Sequence, residues 1–279
     1  MRIRISHETV YRYEEPPRGV IQTLRLTPRN HDGQYVESWR IDLSENCQLT
    51  QHEDAFGNIT HVLSQGPVED LVISVEGLIE THDTGGVLKG SDERFPPSLF
   101  LRSTPLTEAN AAMVNFTREL RAEADSDVLG FLHALMVQIN EHMTFDENPT
   151  DSSTAAAEAF RLKRGVCQDY AHIFIACARH GGVPARFTSG HFLRSDGMVH
   201  QEAGHAWAEA FVPDLGWVGF DAANGICTTD AHVRIAIGLD YLGAAPVRGT
   251  RYGGGAETLT VAVKVDQAGR SRQGQWQSQ

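Results

Sequence analysis

The sequence predicts an α+β protein: an N-terminal antiparallel β-sandwich, then helices packed on a second antiparallel sheet. Three observations carry this. Short alternating stretches with closely spaced turn signals fill residues 1–83. Helical spacing of apolar residues takes over from residue 107. Alternating stretches return after Gly181-Gly182. The predicted layout is a sandwich over 1–83, a linker over 84–105, a helix-and-sheet domain over 106–268 and a polar tail over 269–279.

The chain has 279 residues, enough for one large domain or two modest ones. Hydrophobic content of 41% and charged content of 22% suit a soluble globular protein that needs no disulfide staples. A net charge of −12 and a pI near 5.5 argue against nonspecific binding to nucleic acid or an anionic membrane. Residues 1–6 lack the apolar run and small-residue cleavage site of a secretory signal. No apolar run is long enough to span a bilayer, so a cytoplasmic location is expected. Cys47, Cys167, Cys177 and Cys227 are scattered without Cys-x-x-Cys pairing and are expected to be free thiols. No metal or cofactor is expected, and oligomeric state is not readable.

The elements follow in order. Ile3 and Ile5 alternate with Arg2 and Arg4. Residues 20–26 form a second strand stopped by Pro28, and 35–43 alternate again. The turn Asp54-Ala55-Phe56-Gly57-Asn58 links strands at 47–53 and 59–63, and 70–80 carries Leu71, Ile73 and Val75 on one face. His52, His61 and His82 read as ordinary surface or core residues. In the linker, Gly85-Gly86 and Pro96-Pro97 break regular structure. Residues 107–123 place Met113, Phe116 and Leu120 at helical spacing. Ser126 or Asp127 caps a second helix with Val128, Leu132, Leu135, Met136 and Ile139 on one stripe. A short helix spans 155–162.

Residues 164–172, Arg-Gly-Val-Cys-Gln-Asp-Tyr-Ala-His, organise the rest. A glycine-led turn delivers Cys167 to the first turn of a helix that is apolar nearly all round and therefore buried. Unpaired N–H groups at such an end favour a thiolate. A buried core thiol is the bland alternative. Asp169 suits the helix dipole, His172 is off the thiol's face and reads as structural, and Tyr170 lines either the cleft or the core. Downstream, residues 204–212 alternate, with His205, Trp207, Glu209 and Phe211 on one face. Centring the following turn on Pro213 sets His205 opposite Asp221, with Cβ atoms roughly 5 Å apart. The carboxylate then fixes the imidazole tautomer, and the other ring nitrogen faces a third group. If the Cys167 helix packs on this sheet, that group is the sulfur. Imidazolium pairs with thiolate, and the Cys167 N–H points where an oxyanion would form. Trp207 and Trp217 flank the pair as core aromatics or as a water screen. The strand at 256–266 is expected to close the same sheet.

These residues resemble the transglutaminase-like superfamily: Arg164 to His172, then Gly204-His205-Ala206-Trp207-Ala208-Glu209, then Gly216-Trp217-Val218-Gly219-Phe220-Asp221. The resemblance implies a papain-like core with Cys167, His205 and Asp221 at the family's triad positions. Tyr11-Arg12-Tyr13 and Asp54 to Asn58 resemble the β-domain that precedes this core in bacterial members. It implies a thiol enzyme acting on amide bonds of a peptide or protein substrate, with cysteine peptidase or amidase activity favoured over amine acyl transfer. No residue matches the side-chain oxyanion donor of some relatives: Phe145 lies in that region but cannot donate, and Gln168 is only a candidate.

Two other classes compete. A metal enzyme would use His191, His200, His205, Glu202 and Cys227, but their spacing fits no zinc motif. A non-catalytic peptide-binding module would keep the fold without the chemistry, and the presence of all three triad residue types opposes it.

Overall fold

Alternation in the sequence becomes pleating in the computed structural model, which describes residues 1–44 and 47–269. Most of the predicted tail, 269–279, lies outside the described residues. Arg2–Tyr13 buries every second side chain from Ile3 to Tyr13. It lies mid-sheet in the order His200–Gln201, Glu257–Gln267, Arg2–Tyr13, Asp70–Thr81, Gln34–Leu43. A second sheet, Val247–Tyr252, Gly19–Thr27, Ile59–Gln65, Gln48–Glu53, closes the sandwich. Tyr11, Tyr13, Leu71, Ile73 and Val75 from the first sheet meet Val20, Leu24, Leu26 and Leu63 from the second.

The second unit is built on the sheet Ile226–Cys227, Gly216–Asp221, His205–Val212, Ala185–Phe192, His232–Gly238. The helix Cys167–His180 packs on His205–Val212, where Ala206, Ala208 and Ala210 let it approach closely. Two further helices flank it. Asn110 caps Ala111–Ala124 by accepting from the Met113 N–H at 3.0 Å. Asp127 caps Val128–His142 by accepting from the Gly130 N–H at 2.8 Å.

The structure revises the predicted boundaries in three places. The strand at 256–266, expected beside His205–Val212 and Gly216–Asp221, is Glu257–Gln267, and it pairs with Arg2–Tyr13 along its length. The 12-residue strand Arg2–Tyr13 needs a long partner, and Glu257–Gln267 supplies 11 residues, against 8 in His205–Val212 and 6 in Gly216–Asp221. Val247–Tyr252 likewise joins the sandwich beside Gly19–Thr27. The predicted linker is not a spacer. Val87–Leu88 pairs with Trp217 and Val218, and buried Phe100 sets its ring against Trp217 with centroids 5.1 Å apart. The helix expected from 107 begins at Ala111, because Asn110 takes the cap and Pro105–Thr107 forms a separate short turn.

The two units share side chains. Ile3, Ile5, Ile79, Val263 and Val265 of the N-terminal sheet belong to the hydrophobic core of the second unit. Gln34 and Asn58, both buried, clasp the free edge of His232–Gly238. Gln34 donates to the Arg234 carbonyl at 2.9 Å and accepts from the Arg234 N–H at 2.8 Å. Asn58 makes the same two-way pairing with Ile237, both bonds at 2.8 Å. Two carboxamides thereby satisfy backbone groups that an edge strand leaves open.

Candidate active site

Cys167 is half-buried and is the first residue of its helix. Its N–H and that of Gln168 have no carbonyl one turn back. Asp169 secures this turn: its Oδ2 accepts from the Val166 N–H at 2.8 Å and from the Thr150 hydroxyl at 2.7 Å. Burial pushes the Asp169 pKa up, and those two donors oppose it. A Cβ on Gly165 would come within 2.3 Å of the same carboxylate, which is why the preceding turn carries glycine. The dipole reading of Asp169 understates its part, since its carboxylate also ties the cysteine's turn to Thr150.

The hairpin between His205–Val212 and Gly216–Asp221 turns on Asp214, whose φ of 67° is left-handed. Register runs from Val212 opposite Gly216 to Ala208 opposite Phe220. The turn is therefore one residue beyond Pro213, and Asp221 continues opposite Trp207, diagonal to His205. Moving the centre by a whole residue shifts pairing by two, so His205 and Asp221 keep the same face. The His205 side chain bridges the diagonal: its Nε2 lies 2.7 Å from Asp221 Oδ2.

Asp221 is fully buried and well supplied with donors. Oδ2 also accepts from Asn224 Nδ2 at 2.6 Å and from His232 Nε2 at 3.2 Å, while Oδ1 accepts from the Asn224 N–H at 3.2 Å. Burial pushes the Asp221 pKa up, but His205 and His232 outweigh it and hold the carboxyl well below the usual range. For His205, burial alone would lower the pKa. The Asp221 carboxylate, and then a hydrogen bond and charge interaction with Cys167, raise it to about 10. His205 is thus coupled to two groups: to the Asp221 carboxylate through Nε2, and to Cys167, whose interaction adds to the upward shift.

The remaining candidates separate. Trp207 is buried beneath the two imidazoles, its ring 6.1 Å from His205 and 5.3 Å from His232 by centroids. Gly190 makes room for it, since a Cβ there would meet the indole at 2.6 Å. Trp217 instead lies under the Arg186 guanidinium and meets the Phe100 ring edge to face. Gln168 is buried, with its side-chain amide donating to the Ser152 carbonyl at 3.4 Å. Tyr170 is 2% exposed and belongs to the core. His172 is structural: its Nε2 accepts from the Tyr241 N–H at 3.0 Å. Phe145 is exposed beside the thiol's turn, paired with Gly165 in a short parallel bridge.

Two neighbours were missed. Tyr241 sets its ring edge-on to Phe187 with centroids 6.0 Å apart, and burial, then Cys167, push its pKa up. His232 contacts Asp221 directly. The alternation of Val233, Ile235 and Ile237 after His232 is the signal that would have marked its strand.

The residues of the metal reading do not assemble. His191 faces His7 with ring centroids 5.8 Å apart, and Cys227 lies 3.4 Å from His133 Nε2. Of that set only His205 enters a ligand-type cluster, with Asp221 and His232, the three coming within 4.8 Å of one another among the described residues. There both imidazole Nε2 atoms already hydrogen-bond to one carboxylate oxygen.

Comparison with known proteins agrees with this architecture. Residues 3–80 match the bacterial transglutaminase-like N-terminal region, and 114–222 match the transglutaminase-like superfamily. A Cytophaga hutchinsonii structure described as a candidate cysteine protease superimposes with a TM-score of 0.77 at 18% identity, covering 100% of this chain and 94% of that one. At that identity the likeness is one of fold. An uncharacterised Mycobacterium leprae protein is 25% identical over 290 residues, covering 95% of this chain and 98% of its own. A protein-glutamine gamma-glutamyltransferase of Pseudomonas aeruginosa is 33% identical over 109 residues, 34% of this chain and 16% of that protein. With its sandwich and its thiol-bearing core matched in chain order, the protein belongs to the transglutaminase-like superfamily, in the form that carries the bacterial N-terminal region.

Proposed function

We propose that this protein cleaves amide bonds of peptides or proteins through a cysteinyl acyl-enzyme, with water as the final acceptor. The observation that carries the reading is the His205 ring, bonded at 2.7 Å to a buried carboxylate and held protonated by that carboxylate and by Cys167. Cys167 Sγ attacks the amide carbonyl, and the carbonyl π pair moves onto oxygen. That oxyanion lies near the free N–H groups at the helix start. The His205 imidazolium gives its proton to the departing amine as the C–N bond breaks. His205, now neutral, takes a proton from water, whose oxygen attacks the thioester. Collapse releases the acid and restores the ion pair. Asp221 holds the tautomer and balances the imidazolium charge.

Water as acceptor requires no built acceptor site. An amine acceptor is the second reading, supported by the partial likeness to the Pseudomonas gamma-glutamyltransferase. Incubation with a peptide library, with and without a biotinylated alkylamine, separates the two by mass spectrometry. New free carboxyl termini support hydrolysis, and amine adducts support transfer. The parallel measurement is iodoacetamide labelling at mildly acidic pH. Cys167 is expected to react ahead of Cys47 and Cys227, and His205→Ala to slow it greatly. Equal labelling of all accessible cysteines would remove the basis for either reading.

A further inference from the structure

We infer that His232 is a positioning residue for the thiol chemistry: it aims the Asp221 carboxylate and divides its charge, so that His205 can give up its proton. This rests on the thiol reading above and deepens it. His232 Nδ1 accepts from the Thr229 N–H at 3.0 Å, so the neutral ring carries its proton on Nε2. That proton points at Asp221 Oδ2, 3.2 Å away, the same oxygen that receives His205. The ring is wedged between Phe192, tilted against it at 4.6 Å, and Trp207, edge to face at 5.3 Å, by centroids. It is nearly inaccessible to solvent, with 2% of its side chain exposed.

The consequence follows from simple electrostatics. A buried carboxylate with a single imidazole partner concentrates its charge on that partner and retains the imidazolium. Each further donor on the same oxygen weakens that hold. Burial pushes the His232 pKa down despite Asp221, so this second imidazole acts as a neutral donor and not as a competing cation. The groups that titrate around the pair are Cys167 on its helix and His191 on the strand Ala185–Phe192. Arg234, two residues along from His232, is committed to Glu209 at 2.6 Å.

The inference also gives the N-terminal domain a part in the chemistry. His232 opens the strand whose outer edge Gln34 and Asn58 clasp. Thr81 adds a bond to the Asp230 carbonyl at 2.5 Å, just before that strand. The sandwich thereby fixes where His232 stands.

The experiment follows Cys167 alkylation by iodoacetamide against pH in the full chain, for wild type, His232→Gln and His232→Leu. Turnover of a cleaved library peptide is measured alongside. In His232→Leu, the step that marks loss of the His205 proton is expected to move up by about one pH unit. kcat is expected to fall roughly tenfold with KM unchanged, the size of one hydrogen bond to a charged group. The Gln carboxamide nitrogen reaches the position of Nε2, so His232→Gln is expected to rescue both readouts to within about twofold. An unmoved step in His232→Leu would overturn the inference, as would a His232→Gln variant no better than Leu. Should the leucine variant fail to fold, His232→Asn, whose donor falls short of Asp221, takes its place with the same expected shift. A wild-type Cys167 no faster than Cys47 or Cys227 would instead sink the thiol reading, and this inference with it.

Discussion

Two carboxylates on one hairpin, Glu209 and Asp221, are buried to the same depth and surrounded by opposite kinds of partner. Glu209 meets two guanidinium groups: Arg186 Nε at 2.6 Å and Arg234 Nε at 2.6 Å. Arg186 is itself fully buried, lies over the Trp217 ring at 3.9 Å and extends to Glu93 of the predicted linker. Burial alone would raise the Glu209 pKa, but Arg234 and Arg186 pull it down to about 2. None of these cations can release a proton at neutral pH. Asp221 meets two imidazoles and an amide instead. Fixed charges make Glu209 a fastener between the linker and the sheet. Exchangeable protons suit Asp221 to the reaction centre proposed above.

Breaking each site should therefore fail in a different way. At the Asp221 site, His205→Ala is expected to cut turnover by roughly 10⁴-fold or more. The fold should also lose stability, since buried Asp221 loses its cationic partner, so turnover is scaled to the folded fraction read from a urea curve. At the Glu209 site, Arg186→Leu is expected to cost about 3–5 kcal/mol of stability, since Glu93 and Glu209 lose a buried partner. Its kcat per folded molecule should stay near wild type. A stable Arg186→Leu with collapsed kcat would reverse the roles assigned to the two sites.

The comparison also has a pH signature. His205 is raised above an ordinary imidazole's 6.5 to about 10, so its contribution to stability is complete below 6.5 and drains away as pH rises towards 10. By pH 8 the loss amounts to about 2 kcal/mol. The Glu209 network has no titrating partner in that window and should contribute nothing to the slope. Urea midpoints at pH 6.5 and 8 for wild type and His205→Gln test this, and an equal slope in both would contradict it.

Local patterns were legible in the sequence, and long-range partnerships were not. Cys167 announced itself through the glycine turn and the apolar helix behind it. His205 and Asp221 were readable because a hairpin's parity survives a one-residue error in the turn centre, even though Asp214 and not Pro213 sits there. Glu257–Gln267 alternates equally well for either sheet, and only the open edge of Arg2–Tyr13 decides its place. Glu93 looked like linker because its partner Arg186 is distant in sequence. His232 was missed for a related reason: nothing adjacent to it signals the carboxylate it meets on another strand.

A third pair of groups sharpens the lesson by removing the carboxylate altogether. His7 and His191 face each other across the boundary of the two units, both buried, and each Nδ1 lacks a hydrogen-bond partner among the described residues. With no anion beside them, burial drives their pKa values down from 6.5, to about 4 for His7 and about 3 for His191. The sign is opposite to that of His205. Below pH 6.5 the unfolded chain gains protons that the folded chain refuses, so stability is intact above 6.5 and falls as pH drops towards the folded values. Each ring should cost about 1.4 kcal/mol at pH 5.5 relative to 6.5 and above. His7→Gln keeps a polar side chain of similar size and cannot charge. It is expected to narrow the gap between urea unfolding at pH 7.5 and at pH 5.5 by about that amount. A gap unchanged by His7→Gln would mean that the ring is already charged in the folded protein, and that burial without a counter-ion does not set its state.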